Sequence, residues 1–171
     1  LRGTHGDQEW GKWPRALRLR EKGAVARATT DLQDKVELER FIQFVFDRQW
    51  NALRAYANAH GVGLIGDIPI FVAYDSSDVW ARRPLFDLDA DGRAKTVSGV
   101  PPDYFSRTGQ RWGHPQYNWA RHQASGFAWW IERFRHTFAQ FDAVRIDHFL
   151  GFNRVWAVPG RAKTAIRGKW V

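Results

Sequence analysis

The chain has 171 residues and a formal charge of +8, with 44% hydrophobic and 26% charged residues, which is a globular balance rather than a disordered one. No stretch approaches the ~20 apolar residues that cross a bilayer, the N-terminus lacks the apolar core of a signal peptide, and zero cysteines exclude a disulfide scaffold or thiolate metal site. These features describe a soluble, cytoplasmic domain, and ten Trp beside no Met suggest a partial chain, so that the +8 charge says little about partners.

The opening segment, about Trp10 to Arg27, is basic, with sparse apolar residues and Gly23 interrupting any helix. It reads as a solvated connector. A long amphipathic helix, or two stacked ones, follows over Val36 to His60, with Thr30 or Asp31 as a cap. Val36, Ile42, Phe46, Leu53 and Ala57 recur at helical intervals, and Gly61 is the stop. Gly63 to Asp67 reads as a short buried strand whose pairing ends near Asp67, because Pro69 has no N–H to donate. Residues 71–125 form a Pro-, Gly- and Asp-rich stretch, a loop-rich insertion with a hairpin turning at Asp91-Gly92. A second helix covers about Phe127 to Gln140, with Phe127, Trp130, Ile131, Phe134 and Phe138 on one face, and the strand Ala143–Asp147 follows. Helix, strand, excursion, helix, strand is the order of an α/β protein with a parallel sheet.

Two motifs mislead. Gly61-Val-Gly63-Leu-Ile-Gly66 spells a dinucleotide fingerprint, but its glycines leave a helix and enter a strand, the reverse of what pyrophosphate binding requires. Asp87-x-Asp89-x-Asp91-Gly92 spells half a calcium loop, yet Ser98 stands where the bidentate Glu belongs and Pro84 blocks the entering helix. Histidine spacing supports no zinc site, and no metal or other cofactor is expected.

Chemistry is expected at the ends of the strands. Arg145 and Asp147 share one face of an otherwise apolar strand, and Asp147 and His148 fall at its C-terminal end, where ligands bind in parallel α/β sheets. Asp67 holds the same place on the preceding strand. Either the charges neutralise one another, with Asp67 capping a turn, or they serve a ligand. Within 99–113, Tyr104, Phe105, Gln110 and Trp112 offer flat apolar faces and an amide, a mixture suited to sugar rings; the alternative is a loop packed back on the core.

Three runs together, Gly66–Trp80, Pro101–Gly113 and Arg145–Phe149, resemble the 4-α-glucanotransferases, or amylomaltases, of the α-amylase clan. The likeness extends to Phe46–Tyr56 and Trp156–Gly160 and so covers nearly the whole chain. It implies a partial (β/α)₈ TIM barrel, a central slice spanning residues 1–171 with no complete second domain, since a closed barrel takes ~250 residues. The implied chemistry is retaining transfer between malto-oligosaccharides and α-1,4-glucans through a covalent sugar ester. By motif match, Asp147 is the nucleophile and Arg145 orients it and holds it ionised; His148 and Asp67 contact the donor sugar. Asp103, Tyr104, Phe105, Gln110 and Trp112 belong to a lid that keeps water from the intermediate. The resemblance also implies that the general acid/base, a Glu, lies outside the chain, since Glu9, Glu21, Glu37, Glu39 and Glu132 end no predicted strand. Leu150 stands where the family usually has Arg. The rival readings are a basic nucleic-acid module, motivated by the charge, and a hydrolase of the same clan; neither a nucleic-acid nor a membrane partner is expected, and oligomeric state is open.

Overall fold

The computed structural model describes residues 1–171. Its two sheets meet at the candidate site. β1 (Ile65–Pro69) and β4 (Ala143–Asp147) form a parallel pair, in register from Ile65↔Ala143 to Pro69↔Asp147. Between them the chain runs through the short helices α4 (Ser77–Ala81) and α5 (Trp119–Ala124) and then α6 (Ala128–Gln140). The second sheet is antiparallel, in the order β3 (Gln110–Pro115), β2 (Thr96–Val100), β5 (Trp156–Pro159) and β6 (Lys169–Trp170).

The strand β4 falls where its alternation places it. β1 runs two residues further than expected, to Pro69, and is not buried on both faces: Gly66 and Ile68 point inward while Asp67 and Pro69 are exposed. A proline at the last strand position withholds only a donor the ladder no longer needs there. Its carbonyl accepts instead from Arg133 Nη2 at 2.8 Å.

The stretch 71–125 is more ordered than a loop-rich insertion. It contributes β2 and β3, and β2 also pairs with β5 beyond it, so the sheet is completed by pairing across more than fifty residues. The Asp91-Gly92 hairpin forms as a single Leu88↔Ala94 bridge, with Gly92 at φ +82°. Here Asp89 Oδ1 accepts from Asp91 N and Arg93 N, and Asp87 and Asp91 meet Lys95 and Arg93. The acidic triplet thus satisfies the turn itself.

The opening segment is not a solvated connector. It contains α1 (Arg15–Arg18) and α2 (Lys22–Asp31), and Trp10 and Trp13 are 2% and 8% exposed in the main core. Trp10 donates through Nε1 to Tyr74 O at 2.6 Å and through its backbone N to Asp75 Oδ1 at 3.0 Å. Gly23 sits in the first turn of α2, where a weak helix former is tolerated. The indole rings outweigh the surrounding charge because each buries ~150–250 Å² of surface.

That core joins Trp10, Trp13, Ile70, Phe71, Val79 and Phe86 to Tyr117, Trp129, Trp130 and Val155. Within α6 the inward residues are Trp129 and Trp130, while Phe127, Ile131 and Phe138 are largely exposed, a shift of the expected stripe. The long helix α3 (Gln33–Ala59) starts after Leu32 with no side-chain cap, so neither Thr30 nor Asp31 serves. None of its residues is buried, and Phe41, Phe44 and Tyr56 are more than half exposed. Its long-range hydrogen bonds lie in its C-terminal half. Trp50 Nε1 donates to Gln140 O at 2.8 Å, and Arg54 and Asn58 both reach Asp142.

Candidate active site

The parallel register sets Asp67 beside Arg145 and Pro69 beside Asp147. Because Arg145 and Asp147 alternate with Val144 and Ile146, both point to one face, and Asp67 joins them from the neighbouring strand. Arg145 Nη1 donates to Asp67 Oδ2 at 2.7 Å and its Nη2 donates to Asp147 Oδ1. One guanidinium therefore spans two carboxylates. All three side chains are more than half exposed, so the charges remain available to a ligand and are not sealed in the core.

Asp147 and His148 open into a cavity of about 610 Å³, shared with Ile70, Phe71, Trp112 and His114. His148 adopts the left-handed region, φ 52°, at the first residue past the strand, which turns its ring back toward the sheet. The ring meets Trp112 edge-on at 5.0 Å and lies 6.4 Å from Phe71. Trp112 in turn donates from Nε1 to Gln110 Oε1 at 3.1 Å. The result is a strand-end carboxylate beside flat aromatic walls, the mixture that receives a polyhydroxylated ring. A larger cleft, about 1040 Å³, lies between the opening segment and the α2–α3 region, but no residue of β1 or β4 reaches it.

The structure assembles only part of the expected set. Asp67, Arg145, Asp147 and His148 form a continuous chain of contacts with Trp112 and Gln110. Asp67 itself lines a neighbouring hollow with Arg82, Glu132 and Arg133 rather than the Asp147 cavity. Asp103, Tyr104 and Phe105 stand apart, at the tip of the β2–β3 connection. Asp103 Oδ1 accepts from Phe105 N and Ser106 N, an arrangement that shapes the turn. Tyr104 and Phe105 are 95% and 93% exposed and touch mainly each other, with ring centroids 5.4 Å apart. They do not pack back on the core. No glutamate lines the Asp147 cavity.

Sequence reading missed Phe71, Ser98 and His114. His114 follows Trp112 by two residues, but neither the strand nor the irregular pairing at Gly113 that lies between them was foreseen. Burial lowers the His114 pKa below the ordinary imidazole value. The basic residues of the opening segment are largely engaged: Arg18 reaches Asp91, Arg15 reaches Glu21, and Arg20 lies 4.2 Å over the Trp80 ring.

The profile of the 4-alpha-glucanotransferase family matches residues 1–171. The chain belongs to the 4-alpha-glucanotransferase family. It is 49% identical over 171 residues to the 4-alpha-glucanotransferase of Thermus thermophilus and 46% identical over 164 residues to that of Aquifex aeolicus. It covers 34% of each, so the chain spans about a third of the length of these curated relatives. Among solved structures, the amylomaltase from Streptococcus agalactiae in complex with acarbose superposes with a TM-score of 0.95 at 39% identity, over 99% of this chain and 34% of that one. The amylomaltase from Corynebacterium glutamicum shares the fold at a TM-score of 0.67 and 22% identity, over 77% of this chain and 18% of that one. The α/β architecture here is thus that of about one third of an amylomaltase, and no helix is long and apolar enough to cross a membrane.

Proposed function

We propose that this chain carries the nucleophile half of a retaining 4-α-glucanotransferase site, within a central slice of a (β/α)₈ barrel, and that its ligands are malto-oligosaccharides and α-1,4-glucans. The observation that carries the reading is the placement of Asp147: at the C-terminal end of a parallel strand, bonded to Arg145, and opening into an aromatic-walled cavity. In this reading Asp147 attacks the anomeric carbon of the donor sugar. The C–O bond to the leaving glucan breaks as an ester to the Asp147 carboxylate forms, and an acceptor hydroxyl later displaces that ester with overall retention.

Arg145 fixes the Asp147 carboxylate through one N–H and ties it to Asp67, which contacts the donor sugar together with His148. Trp112 supplies a stacking face, held at its indole N–H by Gln110. The 101–109 segment, with Asp103, Tyr104 and Phe105 at its tip, acts as the lid. Its two exposed rings need a ligand face to cover, and closing them over the cavity would exclude water while an acceptor arrives. The general acid that protonates the leaving oxygen is not among the five glutamates, which sit in helices or at helix starts. The chain alone therefore binds glucan without turning it over.

Two measurements test this. Acarbose titrated into the purified chain should quench tryptophan fluorescence, and Trp112→Phe should remove most of that change; an unresponsive wild-type chain would overturn the glucan reading. Incubation with maltotriose should yield neither longer nor shorter glucans, and measurable disproportionation would show that the acid/base lies within these residues after all.

A further inference from the structure

The pairing of β2 with β3 is irregular at one place. Gly99 faces Arg111 and Val100 faces Gln110, but two residues back along β2, Val97 faces Pro115, four residues on along β3. Two extra residues are therefore accommodated in β3 around Gly113, which sits at φ +86°. Bulges forfeit ladder bonds and commonly re-aim side chains beside active sites. Here the residues flanking Gly113 are Trp112 and His114, and both line the cavity of Asp147.

His114 is held on two sides. Its ring stacks on Phe71, with centroids 6.0 Å apart and planes 10° from parallel, and Phe71 stacks likewise on Tyr117. Its Nδ1 lies 3.2 Å from Ser98 Oγ. Ser98 is fully buried, and a buried hydroxyl proton left without an acceptor is costly. Nδ1 is the acceptor on hand, so Ser98 donates and the ring proton of neutral His114 resides on Nε2. Nε2 makes no hydrogen bond within the chain.

We propose that His114 is a substrate-contact residue, its Nε2–H donating to a saccharide hydroxyl in the Asp147 cavity while Ser98 sets the tautomer. The proposal rests on the glucan reading of that cavity and adds a donor to it. Desolvation lowers the imidazole pKa and so favours the neutral ring, in keeping with this role.

The test uses the 171-residue chain with acarbose and maltohexaose as probes. Ring ¹⁵N spectra of the wild-type chain should show His114 as the Nε2–H tautomer, its Nε2 signal moving when sugar is added, and Ser98→Ala should convert it to a mixture. His114→Phe, which keeps a ring on Phe71, should weaken sugar binding about tenfold, the worth of one hydrogen bond. His114→Gln, whose amide can donate, should recover part of the loss. Should His114→Phe lose its near-ultraviolet circular dichroism, the tautomer and the Gln variant decide. Wild-type affinity in a folded His114→Phe, or an Nδ1–H tautomer, would overturn the role of His114 and leave the glucan reading standing. A wild-type chain that binds neither sugar would bring down that reading first, and this one with it.

Discussion

A single guanidinium, that of Arg145, faces two carboxylates in surroundings where all three groups stay wet. Ion pairs this exposed contribute ~0–1 kcal/mol to folding, so Arg145→Ala should lower stability by less than about 1 kcal/mol in a urea melt. A larger loss would mean that the cluster serves the fold more than a ligand. Asp142 differs: it accepts from Leu64 N, Asn58 and Arg54, and these bonds to the charged form hold its pKa down at about 2. Because the folded value lies below the unfolded one, this carboxylate stabilises fully above about pH 4. Its contribution fades as pH falls toward 2. Asp142→Asn should lower stability at neutral pH, cost little near pH 2, and so flatten the acid limb of a stability–pH curve. Tyr117 supplies the buried counterpart, its O–H donating to Ile70 O at 2.7 Å inside the core. Burial raises its pKa, and Tyr117→Phe should cost about 1–2 kcal/mol by orphaning that carbonyl, as a thermal melt would show.

Strands and helices were legible to different degrees. β4 could be read from five residues because alternation and an abrupt helix stop bracket it, and α6 from its aromatic spacing. β2 and β3 could not. Thr96–Val100 is short and punctuated by glycine, and Gln110–Pro115 carries Gly113 and a terminal proline; pairing of β2 with distant β5 and of β3 with β2, not local preference, makes them strands. The bulge between them depends on Gly113 at φ +86°. Gly113→Ala should cost about 1–2 kcal/mol by chemical denaturation, since a Cβ in the left-handed region is strained whatever the space around it. An unchanged midpoint would mean that the strand re-registers and the bulge is dispensable.

The accessible surface of the molecule is 11467 Å², whereas a compact 19.9 kDa monomer exposes roughly 8,700 Å². The excess of about a third is concentrated on α3, whose Leu38, Phe41, Phe44 and Leu53 lie open, and along the two-stranded β1–β4 sheet, which has two free edges. Apolar faces and unpaired edges of this extent favour association. The purified chain should therefore run as mixed oligomers in size-exclusion chromatography with light scattering. A monodisperse monomer that melts in one cooperative step would contradict this. Helical periodicity and strand alternation, both local properties of the side chains, sufficed to announce α3, α6 and β4, and family motifs pointed to Asp147 and Arg145. Burial of Trp10 and Trp13, the four-stranded sheet and the cavity that His114 shares with Asp147 arise from contacts between residues tens of positions apart. No local pattern encodes such contacts, because the free energy that makes them comes from surfaces that exist only once the chain has folded.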